Sequence, residues 1–305
     1  MFDSSFIVWL QQFSNGFLDS FFTIITTVGN PEYYMIAFPF IYWCISKRMA
    51  YRFTIFFLLS TYVNTIVKGF TDVARPCSSE VRVLYGDSTY GSSSFPSGHT
   101  QGTASFWGYL AYYFKNRYFT CFAVVLTALV GLSRIYLGLH FAIDVVAGLF
   151  IAIMVLTLFN LFYDKVASRL DGLSWKLKVG LSTVLPLLLL VPPGHDKGML
   201  VGFAIGLMVG YQLDKRYLNF SNSATIAKQG VKFVIGVVGL FVLRVVLKEL
   251  FEVIGFSALT EHGADMVRYL FVGLWASYFA PYLFVKLGLS KEPKIEIGQD
   301  HRVKV

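Results

Sequence analysis

Long apolar stretches alternate with short polar ones along most of this 305-residue chain. A helix needs about 20 mainly apolar residues to cross the hydrocarbon core of a bilayer, and fewer where the bilayer thins. By this criterion the pattern predicts an all-α bundle of about nine transmembrane helices. The predicted spans are residues 31–46, 53–69, 100–114, 118–134, 141–162, 179–193, 199–213, 231–250 and 267–285.

The first 30 residues form a separate segment. Phe6, Trp9 and Phe13 recur there at helical spacing, with polar residues on the opposite side. This spacing predicts an amphipathic helix lying in the outer membrane interface. Residues 17–28 are apolar enough to form a re-entrant piece instead, and the sequence leaves both interpretations open.

Composition and charge fit a multi-pass protein of the cell membrane. Only 14% of the residues are charged, whereas a soluble domain has about a quarter. With the N-terminus outside, 18 of the 26 Lys and Arg residues fall in the predicted cytoplasmic segments. This distribution follows the positive-inside rule, so the net charge of +8 does not indicate a nucleic-acid partner. The C-terminus is then cytoplasmic.

A first polar motif, Lys68-Gly-Phe-Thr-Asp-Val-Ala-Arg75-Pro76, lies at the outer end of the second predicted span. Pro76 cannot continue a helix and disfavours helical geometry at Arg75. Lys68 and Arg75 can therefore approach one point, the first from a helix end and the second from a loop. The alternative is that two basic side chains merely snorkel to the interface.

A second motif, Pro96-Ser97-Gly98-His99-Thr100, opens the third predicted span. The Ser97 hydroxyl can cap the helix, and the backbone N–H groups at a helix N-terminus bind anions. Gly98 permits a ligand to approach the backbone closely. The alternative is an ordinary helix start that contains a histidine.

A third motif, Ser133-Arg134-x5-His140-x3-Asp144, connects the fourth and fifth spans. His140 and Asp144 are four residues apart and share one face of a helix. The carboxylate can fix the imidazole tautomer and leave the other ring nitrogen as a nucleophile or base. A purely structural His–Asp pair is the alternative.

All three motifs lie on the same predicted side of the membrane. Together they supply three cations, two histidines and a helix N-terminus, which suits phosphoryl transfer, where catalysis is mainly positioning and electrostatic stabilisation. Arginine matches phosphate oxygens bidentately. One histidine can then attack phosphorus while the other protonates the leaving oxygen. No cofactor and no metal ion are needed for this chemistry.

The motifs Lys-x6-Arg-Pro, Pro-Ser-Gly-His and Ser-Arg-x5-His-x3-Asp resemble the three-part signature of the type 2 phosphatidic acid phosphatase superfamily. The resemblance implies that His140 is the nucleophile, that Asp144 orients it and that His99 is the general acid. It further implies that the phosphoryl group is held by Lys68, Arg75, Ser97, Gly98 and Arg134. The predicted layout also resembles that of glucose-6-phosphatase and of sphingosine-1-phosphate phosphatases in the same superfamily.

We therefore expect a metal-independent membrane phosphatase that acts on a lipid phosphate or diphosphate at the outer, extracytoplasmic face. Undecaprenyl diphosphate, phosphatidylglycerophosphate, phosphatidic acid and sphingoid phosphates are all candidate substrates. A vanadate-dependent haloperoxidase is an alternative, although the known members are soluble. A non-catalytic protein that binds or transports phospholipids is another.

The expected domains are the N-terminal segment 1–30, a catalytic core at 31–165, a four-helix extension at 166–290 and a cytoplasmic tail at 291–305. The loop 70–99 is long for a connection between packed helices, and residues 85–94 within it are rich in small polar side chains. Long loops of this kind are often functional, so residues 85–94 predict a lid over the site or a wall that recognises the substrate head group, and a merely flexible loop is the alternative. Gly202, Gly206 and Gly210 predict a flat helix face that packs within the chain or joins two copies as a homo-oligomer.

Overall fold

The protein is described by a computed structural model that covers residues 3–77, 79–85, 92–191, 197–255 and 263–290. These residues form helices and connecting loops, with no β-strand among them. The α-helices are α1 (Ser5–Gln11), α2 (Gly16–Thr26), α3 (Pro31–Phe40), α4 (Lys47–Thr71), α5 (Gly98–Phe114), α6 (Arg117–Tyr136), α7 (Ala142–Asp171), α8 (Trp175–Leu187), α9 (Lys197–Leu213), α10 (Ile226–Val253), α11 (Gly263–Leu274) and α12 (Ala280–Lys286).

The all-helical membrane fold predicted from the sequence is confirmed. Each of the nine predicted spans is helical over most of its described residues, and α4, α6, α7 and α10 are long and apolar enough to cross a membrane. The number of spans and the sidedness of the termini stay predictions.

Helix boundaries differ most at the end of α7, which extends to Asp171 and not to residue 162, and next at the start of α4. The second predicted span begins at residue 53, but the helix begins at Lys47. Ser46 is extended, with φ −158° and ψ 112°, and its hydroxyl accepts a hydrogen bond from the amide of Met49. This N-cap satisfies a free backbone donor. Basic side chains are compatible with a helix end because their stems lie along apolar surface while their charges reach water.

Aromatic rings hold α3, α4 and α5 together. Phe38 of α3 lies 4.7 Å from Phe53 of α4, measured between ring centroids. Phe53 in turn lies 5.0 Å from Phe106 and 4.3 Å from Tyr109, both of α5. Aromatic pairs at these distances are worth about 0.5–1.5 kcal/mol beyond the area they bury. The cluster fixes the helices whose ends carry the first two polar motifs.

The C-terminal helices are joined to this core through Trp43, which is fully buried. Its indole Nε1 donates to the carbonyl of Ala276 over 2.7 Å, and its ring fills the space where Gly236 of α10 has no side chain. An ion pair of 2.6 Å joins Lys47 to the buried Asp214. The two halves of the chain therefore share a buried junction.

The N-terminal segment packs against the end of α6 and the loop 79–85. Gln11 donates to the carbonyls of Arg82 and Tyr136, and its own carbonyl accepts from the Arg82 amide. Asp19 accepts two hydrogen bonds from the Arg82 guanidinium and one from the Tyr136 hydroxyl. Helices α1 and α2 are thereby fixed beside the third motif.

The glycine face of α9 packs within the chain. A Cβ atom at Gly202 would lie 2.0 Å from the carbonyl oxygen of Met266, and one at Gly206 would lie 2.1 Å from that of Leu270. Helices α9 and α11 therefore approach so closely that no side chain fits between them at these positions. The sequence left the partner of this face open, and at Gly202 and Gly206 the partner is α11 of the same chain.

We expect Gly206→Ala to lower the thermal unfolding temperature in detergent, because the added methyl group overlaps the α11 backbone and overpacking costs about 1–3 kcal/mol. Gly230→Ala in α10 is the matched control, since nothing lies within 4 Å of a Cβ atom there and alanine favours a helix. Near-ultraviolet circular dichroism measures both transitions. Equal unfolding temperatures for the two variants would contradict the expectation.

Candidate active site

The three polar motifs meet at one end of the helix bundle, where α4 and α6 end and α5 and α7 begin. Between α6 and α7 the chain reverses in a tight turn around Gly138, which has φ +72°, a conformation that favours glycine. The amides of Leu139 and His140 both donate to the carbonyl of Arg134. This turn explains why Arg134 and His140, six residues apart, face the same region.

His140 is almost fully buried and is held through both ring nitrogens. Its Nδ1 lies 3.2 Å from Oδ2 of Asp144, and its Nε2 lies 3.2 Å from Nη1 of Arg75. Burial, and then the positive charges of Arg134, Arg75 and Lys68, lower the pKa of His140 well below its ordinary value of 6.5. The imidazole is therefore neutral at neutral pH, with Nδ1–H donated to Asp144 and the lone pair on Nε2.

Asp144 lies in the first turn of α7 and has no exposed surface. Its Oδ2 also accepts from the hydroxyl of Ser94 and, over 2.9 Å, from the amide of Phe141. The backbone carbonyl of Asp144 accepts from the amide of Ser97 over 3.0 Å. One residue thus connects the start of α5, the start of α7 and the imidazole.

Neutral oxygen atoms hold the two cations of the first motif. Lys68 donates to the carbonyls of Ser93 and Ser94. Arg75 donates to the carbonyl and hydroxyl of Ser92 and, through Nη1, to the carbonyl of Leu139 over 2.9 Å. The Leu139 carbonyl and Nε2 of His140 share the same Arg75 nitrogen.

Ser97 is the N-cap of α5, as the sequence predicts: its hydroxyl accepts from the amide and the hydroxyl of Thr100. A Cβ atom at Gly148 of α7 would lie 2.7 Å from the Ser97 carbonyl, so α7 packs directly on this turn. Gly98 follows, with the amide oxygen of Asn64 as its nearest side-chain neighbour.

Arg134 and His99 are held by the N-terminal segment. Arg134 is 1% exposed, and its Nη1 donates to the hydroxyl of Thr26 over 2.9 Å. Its Nε and Nη2 are buried and find no hydrogen-bond partner among the described residues. Nε2 of His99 lies 2.9 Å from the amide oxygen of Asn30. His99 also interacts electrostatically with Arg134 and His140.

The structure thus brings all eight predicted site residues to one region. His140 directly contacts Arg75 and Asp144. Lys68 donates to the carbonyl of Ser94, and the amide of Ser97 donates to the carbonyl of Asp144. Gly98 follows Ser97 in the same turn. Arg134 lies close enough to His99 for their charges to interact. Their individual roles stay predictions. Of the predicted lid, residues 86–91 lie outside the described part of the chain.

Four residues that contact the site were not among the eight predicted site residues, although two of them fall in the predicted lid. They are Ser92 and Ser94, which hold Arg75 and Asp144, and Thr26 and Asn30, which hold Arg134 and His99. The serines belong to a run of small polar residues directly before the second motif. Thr26 and Asn30 are polar residues at the end of an otherwise apolar stretch, and that is their sole signal in the sequence.

Comparison with known proteins agrees with the motifs. A family model described as the PAP2 superfamily matches residues 36–167, and a second, described as the transmembrane extension of PAP2 superfamily phosphatases, matches residues 198–292. The chain belongs to the PAP2 superfamily. The first match contains all eight predicted site residues, and both Thr26 and Asn30 precede it.

Among curated PAP2-related proteins, lipid phosphate phosphatase delta of Arabidopsis thaliana is 28% identical over 52% of this chain and 42% of its own length. Sphingosine-1-phosphate phosphatase 1 of Mus musculus is 33% identical over 51% of this chain and 37% of its own length. Phosphatidylglycerophosphatase B of Bacillus subtilis is 29% identical over 34% of this chain and 53% of its own length. The chain therefore matches only about half the length of these relatives, or less.

The PAP2 site carries a buried guanidinium with no carboxylate bound to it in the described part of the chain. An uncompensated buried charge destabilises a fold, and an anion that binds only the folded state offsets this cost. We expect Arg134→Met, which keeps the apolar stem, to raise the unfolding temperature without anions and to abolish the stabilisation by vanadate. For the wild type that stabilisation reaches about 2.7 kcal/mol at a hundredfold excess over Kd.

Differential scanning fluorimetry with and without vanadate measures both effects. Lys232→Met is the matched control, because Lys232 is another fully buried cation, held by the carbonyls of Trp43 and Asn222 away from the site. This control should retain the vanadate shift. An Arg134→Met variant with an undiminished shift would contradict the expectation.

Proposed function

We propose that this PAP2 protein hydrolyses the phosphate monoester or diphosphate of a membrane lipid through a phosphohistidine on His140, without a metal ion. The observation that carries the proposal is the arrangement of the imidazole. Its Nδ1 is bound to a buried carboxylate, and its Nε2 faces the guanidinium of Arg75. This is the tautomer and environment that a nucleophilic histidine needs.

The cations around His140 support phosphate binding. Nη1 of Arg75 lies 3.2 Å from Nε2 of His140, and Arg134 has two buried nitrogens with no partner among the described residues. Fixed cations stabilise the charge that spreads over the equatorial oxygens during phosphoryl transfer. When phosphate oxygens bind Arg75, they replace its contact with Nε2 and release the lone pair for attack on phosphorus.

The reaction has two steps. In the first, Nε2 of His140 forms a bond to phosphorus while the bond from phosphorus to the leaving oxygen breaks, and His99 transfers a proton to that oxygen. In the second, water attacks the phosphohistidine, His99 accepts a proton from this water, and the P–N bond breaks to release inorganic phosphate. Asp144 stabilises the charge that develops on the His140 ring in both steps.

A lipid substrate is supported by the surroundings of the site and by the names of the relatives, which are phosphatases of lipid phosphate, sphingosine 1-phosphate and phosphatidylglycerophosphate. The cluster lies at the ends of the long apolar helices α4, α6 and α7, so acyl chains can stay in the bilayer while the head group enters. We further propose that these ends face the extracytoplasmic side, since 18 of the 26 basic residues lie in the segments predicted at the other ends.

Phosphate release from purified protein in detergent tests the proposal, with phosphatidic acid, phosphatidylglycerophosphate, sphingosine 1-phosphate and undecaprenyl diphosphate as substrates and EDTA present. We expect release from at least one of them, with competitive inhibition by vanadate, which mimics five-coordinate phosphorus. His140→Ala should abolish release, and Asp144→Asn should lower kcat about 10⁴-fold because it disturbs the tautomer of the ring. Asp214→Asn, which neutralises another buried carboxylate, is the matched control.

Quenching with SDS at alkaline pH after reaction with ³²P-labelled substrate should yield a base-stable, acid-labile phosphoprotein in the wild type and none in His140→Ala. Turnover that persists in His140→Ala would overturn the assignment of His140 as the nucleophile. Vanadate binding without release from any substrate would favour a non-catalytic phospholipid-binding or transport protein. Halide oxidation by the vanadate-loaded protein would favour the haloperoxidase alternative.

A further inference from the structure

Two residues that precede the PAP2 match contact two of the candidate catalytic-site groups. Thr26, at the end of α2, binds Arg134, and Asn30, at the N-cap of α3, binds His99. The family model begins at residue 36. The N-terminal segment is therefore in contact with the site although it lies outside the part of the chain that defines the family.

The contact with Arg134 fixes one edge of a buried guanidinium. Thr26 has no exposed surface, and its hydroxyl oxygen accepts from Nη1 over 2.9 Å. The remaining nitrogens, Nε and Nη2, have no hydrogen-bond partner among the described residues. A neutral acceptor orients the guanidinium without cancelling its charge, so the free nitrogens stay available for phosphate oxygens.

The contact with His99 determines which ring nitrogen remains for proton transfer. The Asn30 amide nitrogen donates to the Tyr85 hydroxyl over 3.3 Å, which places the amide oxygen toward His99, where it accepts from Nε2–H over 2.9 Å. The ring also packs on Gly29, where a Cβ atom would lie 2.7 Å from Cδ2 of His99. With Nε2 occupied, Nδ1 is the nitrogen that can exchange a proton.

The segment that carries these residues is held in place independently of them. Gln11 and Asp19 bind Arg82 and Tyr136 through the hydrogen bonds described above. Phe22 packs on Tyr136 with 4.5 Å between ring centroids, and Tyr136 is two residues beyond Arg134. The segment is thus fixed to the same turn that positions Arg134 and His140.

We propose that the N-terminal segment completes the active site, with Asn30 as the positioning residue of the general acid His99 and Thr26 as that of the phosphate-binding Arg134. The inference rests on the proposed function. In the first step the Nδ1 proton of His99 passes to the leaving oxygen as the P–O bond breaks. In the second step Nδ1 accepts a proton from the attacking water. In both steps Nε2–H stays hydrogen-bonded to the amide oxygen of Asn30.

The pH dependence of kcat tests Asn30, because a structural role would not move it. The charged and titratable groups around His99 are Lys68, Arg75, Arg134 and His140, and none of them changes in the variants. We expect Asn30→Asp to move the alkaline limb of kcat to higher pH by about one unit, since a carboxylate on Nε2 favours the imidazolium. We expect Asn30→Leu to lower kcat at least about tenfold, with KM changed less than twofold.

Asn15→Ala is the matched control for Asn30. Asn15 is the N-cap of α2 and binds the amide of Leu18, so its loss weakens the same segment without touching His99. This control should keep the wild-type pH profile. If Asn30→Asp and Asn30→Leu, folded by thermal unfolding, also keep the wild-type profile and kcat, the role of Asn30 is overturned.

Vanadate affinity tests Thr26 without requiring turnover. We expect Thr26→Val to weaken vanadate binding about tenfold, because a hydrogen bond to a charged group is lost, and Thr26→Ser to restore it. Thr27→Val is the control, since Thr27 is the C-cap of α2 and its hydroxyl donates to the carbonyl of Ile24 in the last turn of that helix. Equal affinities for Thr26→Val and Thr27→Val would overturn the role of Thr26.

The experiments distinguish a failure of the proposed function from a failure of the positioning role of the N-terminal segment. A wild type that binds vanadate but releases no phosphate overturns the proposed function, and the Thr26 titration still decides whether the segment positions Arg134. An active wild type with variants that match their controls overturns this inference alone.

Discussion

The contact between His140 and Asp144 sets the geometry on which the rest of the site depends. Because the carboxylate also accepts from Ser94 and from the Phe141 amide, it cannot move without breaking several hydrogen bonds. The backbone of the same residue accepts from Ser97. The starts of α5 and α7 are therefore fixed relative to each other by the residue that orients the imidazole. A displacement of either helix would change the direction of Nε2.

The aromatic core fixes the helices that carry the site residues, although it lies at a distance from the site. Phe53, Phe106 and their neighbours fix α4 against α5, and hydrogen bonds between Asn64, Gln101 and Ser60 continue the contact toward the site. Buried polar groups of this kind are costly unless they are satisfied, and they specify one arrangement when they are. Lys68 is four residues beyond Asn64 on the same helix face, so the same contact sets where its ammonium group lies.

The sequence predicts those parts of the site that local geometry controls. His140 pairs with Asp144 four residues on, Pro76 keeps Arg75 out of helical geometry, and Ser97 caps α5, and each of these needs only neighbouring residues. The shared helix face predicted for His140 and Asp144 was wrong, because His140 precedes α7, which begins at Ala142. Ser94, Asn30 and Thr26 reach their partners across 50, 69 and 108 residues of chain. No local pattern encodes such contacts, because they arise from the packing of helices. The start of α4 at Lys47 was missed for a different reason. Hydropathy detects the apolar part of a helix, whereas the helix begins at its N-cap, which can precede the apolar part.

The N-terminal contacts follow from a conflict between stability and phosphate binding. A buried cation without a compensating carboxylate is costly, but a carboxylate on Arg134 or Lys68 would cancel the charge that attracts a phosphate group. The acceptors found there are neutral: the hydroxyl of Thr26 for Arg134, and carbonyls of Ser93 and Ser94 for Lys68. The carboxylate of Asp144 is instead placed on His140, where a negative charge assists the nucleophile. The site needs only neutral oxygen atoms at fixed positions to hold Arg134 and His99. A segment that precedes the family match can therefore supply them through Thr26 and Asn30.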